Sequence, residues 1–284
     1  MLKKIFFAAA LLLASELIAK PVVIASIAPV EYLAKAVGGD KIEVQSLAKG
    51  DVHSYEPKPN DMKAVAKARI FIAAGLEFEE AWIPRFKASA KNLVVVKSDA
   101  KIAKLKEERG EQVEHDEKHE AHADPHVWLN PMLAITMARN ISDALIDMDK
   151  ANKDFYLENF QKLMNDLLAF DESAKESLAG LKNRKFVVYH PAWGYFAAHY
   201  DLEQISIERN GKEPKIDEMA STVKMIKDEN IKVIFADPNR SQKSAQILAS
   251  QTGAKVELLD PLGYNLLENL KIAVGAIKDA NSPK

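Results

Sequence analysis

Short β-branched runs that alternate with amphipathic stretches, twice over, constrain this chain more than any other feature, because such alternation marks βαβ units on a parallel sheet. The first group of strands reads as Val22–Ala25, 42–47, Ile70–Ala73 and 93–96, the second as 186–189, 202–206, Val233–Ala236 and 256–259. Between the groups, Tyr156, Phe160, Leu163, Leu167, Phe170, Ala174, Leu178 and Leu181 recur at steps of three or four, which predicts one helix with a single apolar stripe. Asn152 fits its N-cap and Gly180 its end. At 1.5 Å per residue such a helix is about 40 Å long, too long for a crossover within one lobe. The expectation is an α/β chain of two lobes, each with a mainly parallel four-stranded sheet, joined by a long rigid helix. A short coiled coil that dimerises is the alternative for that helix, although its stripe covers only about four heptads. The corresponding boundaries are 20–151, 152–181 and 182–284.

Residues 1–19 read as an export signal: Lys3 and Lys4 open it, 5–13 is an apolar run too short to span a bilayer, and Ala19 offers a small residue for cleavage. Over the whole chain, 48% hydrophobic and 28% charged residues exclude disordered, collagenous and multi-spanning membrane classes. A formal net charge of −2 supplies no basic surface for nucleic acid. Cysteine is absent, which removes disulfides, thiolate metal sites, cysteine nucleophiles and lipid attachment through cysteine. Any metal must rest on His, Asp and Glu, and the cleaved product is expected to be a free periplasmic monomer without direct membrane insertion.

One segment differs in kind. Residues 107–124 carry eight acidic residues, two basic ones and three histidines, His115, His119 and His122, with almost nothing to bury. The three would share a face if the segment became helical. It reads either as a solvated acidic loop or as a secondary, low-affinity metal-collecting loop, since His and carboxylate density suits divalent ions.

Of the remaining histidines, His53 follows the second strand in Gly50-Asp51-Val52-His53, and His126 lies just before Asn130-Pro131, an N-cap with proline in the first helical position. His190 follows the strand 186–189 and Asp260 follows the strand 256–259. All four stand in loops, three of them after strands, where open α/β sheets bind ligands. Each taken singly is more often an ordinary loop residue. His199, on a helix near 194–200, reads as structural, and Trp128, Trp193 and Tyr195 read as core or as a screen for the site.

These residues carry a resemblance. Residues 24–33, His53-Ser54-Tyr55-Glu56-Pro57 with Asp61, 124–131, 190–196, Gly211-Lys212-Glu213-Pro214 and Leu259-Asp260-Pro261-Leu262 resemble, in order and interval, the zinc-binding periplasmic proteins of high-affinity bacterial ABC importers. These form the ZnuA-like branch of a group that also holds manganese-specific relatives. The resemblance implies two α/β lobes bridged by a long helix, with one tight Zn²⁺ site in the cleft between them. His53 and His126 would come from the first lobe, His190 and Asp260 from the second. It also implies a glutamate in place of His190 in the manganese relatives. Some zinc members have an acidic residue directly before the first histidine, where this chain has Val52. The fourth ligand could thus be Asp260, a water or a carboxylate of the His-rich loop, with Asp260 favoured.

The chemistry of the set agrees, since three imidazoles and one carboxylate suit tetrahedral zinc, whereas manganese prefers more oxygen. The implied function is capture of Zn²⁺ and delivery to the membrane permease of an ABC importer, with no catalysis. The alternatives are a manganese- or iron-binding member of the same family, a metal-binding adhesin and, least favoured, a secreted zinc hydrolase. For a hydrolase the sequence lacks a His-Glu-x-x-His helix and a motif-placed general base. Imidazoles with ordinary pKa values near 6.5 would make zinc binding weaken steeply below about pH 6.

Overall fold

The computed structural model describes residues 19–106, 123–208 and 214–281. The export signal through residue 18, and His115, His119 and His122, lie outside the described residues.

The first lobe runs β1 (Val22–Ala25), α1 (Ala28–Gly38), β2 (Glu43–Ser46), α2 (Pro59–Val65), β3 (Ile70–Ala73), α3 (Glu77–Ser89) and β4 (Val94–Lys97). Its strands pair in parallel in the order β2-β1-β3-β4. Two helices follow, α4 (Pro131–Met148) and α5 (Lys153–Ala179). The second lobe runs β5 (Lys185–Val188), α6 (Gly194–His199), β6 (Glu203–Ser206), α7 (Ile216–Asp228), β7 (Val233–Ala236), α8 (Lys243–Thr252), β8 (Lys255–Leu258) and α9 (Leu266–Asn281). Its sheet is again parallel, in the order β6-β5-β7-β8. β1, β3 and β7 occupy the residues expected from the sequence, and the other five shift by one residue at one or both ends.

Of the central strands, β3 and β7 are buried throughout, which is why Ile70–Ala73 and Val233–Ala236 read as unbroken apolar runs. In the second sheet, alternate residues separate two cores. Val187 and Ile234 face a cluster with Ile226, Ala245 and Leu248 of α7 and α8. Phe186, Val188 and Phe235 belong to the main core, which also takes in Leu270 and Ile277 of α9.

α5 has 27 residues, about 40 Å at the usual rise. Its buried positions Tyr156, Phe160, Leu163, Leu167, Phe170, Ala174 and Leu178 are the stripe anticipated from the spacing. The stripe faces α1 and α4 on one side and α9 on the other, so the helix is packed by both lobes along its length and joins them as one apolar core. A second tie is polar: His199 Nε2 lies 2.6 Å from Oδ1 of buried Asp171, whose Oδ2 meets Lys175 Nζ at 2.7 Å. Asn152 stands at the N-cap position without capping through its side chain; its amide donates to Asp149 Oδ2 at 2.7 Å. Asn130 does cap, accepting from the backbone N–H of Met132 and Leu133, and Pro131 opens α4. Among the described residues no helix is long and apolar enough to cross a membrane.

Candidate metal site

In each sheet the connection leaving the second strand in sequence crosses back over the first, so a crevice opens beyond the carboxyl ends of the strands where the order reverses. The two crevices face each other across the interlobe cleft, and the histidines meet there. The rings of His53 and His126 have centroids 5.5 Å apart, those of His53 and His190 5.0 Å, and those of His126 and His190 5.3 Å. One ring nitrogen from each lies within 4.8 Å of the other two. Nitrogens bound to one tetrahedral zinc at 2.0–2.1 Å stand about 3.3 Å apart, so a small inward movement would bring the three to ligating distance. No other such group occurs among the described residues.

Each element sets its histidine by a local device. His53 sits in the turn after β2, where Asp51 accepts from its backbone N–H at 3.2 Å and from Ser54 Oγ at 3.1 Å. His126 is held from behind by Asp124, whose Oδ1 accepts from its backbone N–H at 2.9 Å and lies 2.7 Å from its Nδ1. His190 follows β5, with Nδ1 2.8 Å from Glu208 Oε2 at the end of β6. A carboxylate on Nδ1 selects the tautomer that leaves Nε2 with a free lone pair, and carboxylate–histidine–metal chains depend on that arrangement. Nε2 of His190 and of His53 are both buried without a hydrogen-bond partner, an expensive condition unless a ligand relieves it.

Proximity also depresses the basicity of the group. Burial, followed by the neighbouring His126, His190 and Arg240, brings the pKa of His53 down to about 3. Burial, His126 and Arg240 hold His190 well below the ordinary imidazole value. The steep loss of zinc affinity expected below about pH 6 rested on ordinary pKa values, and this environment moves proton competition to lower pH.

Asp260 lies on the same rim, after β8, outside the three-nitrogen group. Its Oδ1 accepts from Asn239 Nδ2 at 2.8 Å and from Leu262 N–H at 2.9 Å. His199 is turned to Asp171 and takes no part in the group. Trp128 and Trp193 are buried. The Trp128 ring lies 5.3 Å from that of His126 and its Nε1 donates to Pro261 O at 2.8 Å, so it is core and wall of the site at once. Tyr195 reaches across from the second lobe: its hydroxyl donates to Asp124 O and accepts from Leu105 N–H, both at 2.8 Å. It thereby pins the two chain segments that flank 107–122, beside the Lys106–Ala123 bridge. Next to it, Gly194 leaves room for the Asp124 carboxylate, since a Cβ there would stand 3.1 Å from Oδ2.

A cleft of about 360 Å³, lined by Val52, His53, Leu76, Glu80, Ala123 and Pro125 among others, opens onto His53. Larger cavities of about 560 and 610 Å³ lie against α5 and at the far end of the second lobe. A single ion needs neither, and the ligand chemistry is at the histidines. Sequence reasoning gave no role to Asp51, Asp124, Glu208 or Arg240. Asp51 and Asp124 stand two residues before their histidines. Glu208 stands two residues beyond β6 as His190 stands two beyond β5, so the strand-end argument that singled out His190 could have found it; Arg240 stands four residues beyond β7, behind Asp237, and that argument would have passed it over.

The comparisons agree with this geometry. Residues 23–280 match the family model described as zinc-uptake complex component A, periplasmic. The high-affinity zinc uptake system protein ZnuA of Bacillus subtilis is 30% identical over 91% of this chain and 86% of its own length. A crystal structure of a ZnuA superposes with TM-score 0.87 at 35% identity, covering 93% of this chain and all of that one. A ZnuA deletion mutant with zinc bound superposes with TM-score 0.85 at 34% identity, covering 93% and 99%. The chain belongs to the ZnuA family, the periplasmic component A of zinc-uptake complexes.

Proposed function

We propose that this protein captures Zn²⁺ in the periplasm and delivers it to the membrane permease of an ABC importer, binding and releasing the ion without transforming it. The observation that carries the reading is the convergence of three imidazoles from two lobes, with two buried nitrogens left unpartnered. A nitrogen-rich set favours zinc over manganese. His53, His126 and His190 would hold the ion and Asp260 would complete the tetrahedron. Both bonds that fix Asp260 go to Oδ1, and the other carboxylate oxygen would be the ligand. Asp124 and Glu208 are each committed to an imidazole, which speaks for ligand orientation and against a general base for hydrolysis. In this reading residues 1–19 are removed on export after Ala19, and 20–151, 152–181 and 182–284 are the first lobe, linking helix and second lobe of a monomer. His115, His119 and His122 belong to a collecting loop.

The test is elemental analysis of the untagged protein taken from its native periplasm without added metal, joined to competition titration of Zn²⁺ against Mn²⁺. One zinc per chain and a strong zinc preference are expected. Manganese in the isolated protein, or no tight zinc site, would overturn the proposal.

A further inference from the structure

The ends of β5, β6 and β7 bring His190, Glu208 and Arg240 together. Arg240 Nη1 stands 2.5 Å from Glu208 Oε2 and 2.7 Å from His190 Nδ1. A guanidinium only donates; with the imidazole proton on Nδ1 and given to Glu208, the ring offers it no lone pair there, and it shares Oε2 with the imidazole N–H. Its Nη2 reaches 3.5 Å from Asp51 Oδ1 in the other lobe, the carboxylate that fastens the His53 turn. The Arg240 side chain is only 15% exposed and that of Glu208 only 5%, so solvent ions screen this charge poorly. One cation therefore spans the cleft between the carboxylate behind His190 and the one beside His53, a few ångströms from where the ion would sit.

We propose that Arg240 is a built-in counter-cation of the metal site: it balances Asp51 and Glu208 when no ion is bound and, being positive itself, weakens the hold on a divalent ion so that the ion can be passed on. The inference rests on the zinc reading above. A purely structural tie would act with the opposite sign. Losing a tie loosens the site, whereas losing a repelling charge and exposing two carboxylates to the ion tightens it.

The experiment compares the full mature chain with R240Q and R240K, using Zn²⁺ alone as the probe. A chelating dye in competition gives affinity, and rapid mixing with excess chelator gives the release rate. R240Q should bind Zn²⁺ about tenfold tighter or more and release it correspondingly more slowly. Its zinc-free form should melt lower than the parent and gain more on adding zinc. R240K keeps the charge and should restore parent affinity to within about threefold. Weaker or unchanged zinc binding in R240Q would overturn the role of Arg240. Should R240Q fail to fold, R240M takes its place, since it keeps an extended side chain without the charge; Zn²⁺ should again bind about tenfold tighter and leave more slowly, and unchanged or weaker binding would overturn the proposal. A parent chain that takes up no Zn²⁺ would overturn the zinc reading as well, whereas a parent that binds while R240Q binds no tighter overturns only the counter-cation.

Discussion

The first sheet runs β2-β1-β3-β4 and the second β6-β5-β7-β8, one arrangement used twice, yet the two lobes equip the cleft differently. In the second lobe every strand end carries a charged or ligating group: His190 after β5, Glu208 after β6, Arg240 in the loop after β7 and Asp260 after β8. In the first lobe the β2 turn supplies Asp51 and His53, whereas Asp99, after β4, is taken up by Lys104 at 2.8 Å. The second histidine, His126, arrives from a 3-10 turn ahead of α4, held by a carboxylate two residues earlier. Strand order creates a crevice at the same place in both lobes. The loops decide what it holds, and they are free to differ because little of the sheet's packing depends on them.

The largest effect should come from the ligands themselves. H53A, H126A and H190A should each lower zinc affinity more than the roughly 10–100-fold typical of losing an outer-shell partner, measured by competition with a chelator. H190E should lose zinc affinity while gaining relative tolerance for manganese. H199A should leave zinc binding near the parent value, because His199 bonds Asp171 and not the ion. A loss in H199A without one in H190A would move the second lobe's ligand to the other histidine.

D124A tests the first lobe's different solution and should cost about 10–100-fold in zinc affinity. G194A, which crowds Oδ2 of Asp124 from the other lobe, should produce a smaller loss of the same kind. If D124A bound zinc as tightly as the parent, the 3-10 turn alone would position His126 and the carboxylate would be incidental.

The pH dependence of the metal-free protein is a gentler probe. His53, at about 3, and His190, held well below the ordinary value, stay neutral in the folded state where unfolded imidazoles titrate near 6.5. Between those values the unfolded chain binds more protons. Stability is therefore full above about pH 6.5 and should decline below it, by up to about 1.4 kcal/mol per pH unit for each histidine. Melting curves of the parent and H53A between pH 7.5 and 5.5 check it, the variant being flatter. Equal slopes would mean that His53 titrates as an ordinary exposed imidazole.

The smallest effect is expected from excising residues 112–122. The flanking segments stay pinned by the Tyr195 hydroxyl and the Lys106–Ala123 bridge, so the tight zinc phase should persist in calorimetry while weaker binding disappears. Loss of the tight phase would put a primary ligand in the excised segment.

Much of this was legible because it is local. The alternation of β-branched runs, the three-and-four spacing from Tyr156 to Leu178 and the Asn130-Pro131 start of α4 each follow from short-range backbone preferences and from burying one face. Strand ends strayed by a residue where the flanking residue, such as Lys185 or Lys255, pairs through its backbone while its side chain gives no apolar signal. Asn152 misled for a related reason: an asparagine before a helix has the right chemistry for a cap, but here it ends the 3-10 turn Lys150–Asn152 with its amide N–H turned back to Asp149, and its side-chain oxygen caps nothing.

By itself, then, the sequence determined two parallel sheets and a long helix between them, and it named histidines in loops. Residue spacing could not have joined His53, His126 and His190, which lie more than sixty residues from one another along the chain; the resemblance to a known family linked them. Only the tertiary structure set their three rings 5.0 to 5.5 Å apart, because both lobes pack on one helix and turn their crevices toward each other. The same packing gave Asp124, Glu208 and Arg240 their roles. A charged side chain reads in sequence as a solvated surface residue, and it becomes a ligand's partner or a counter-cation only when folding removes the water around it and leaves one neighbour to bond.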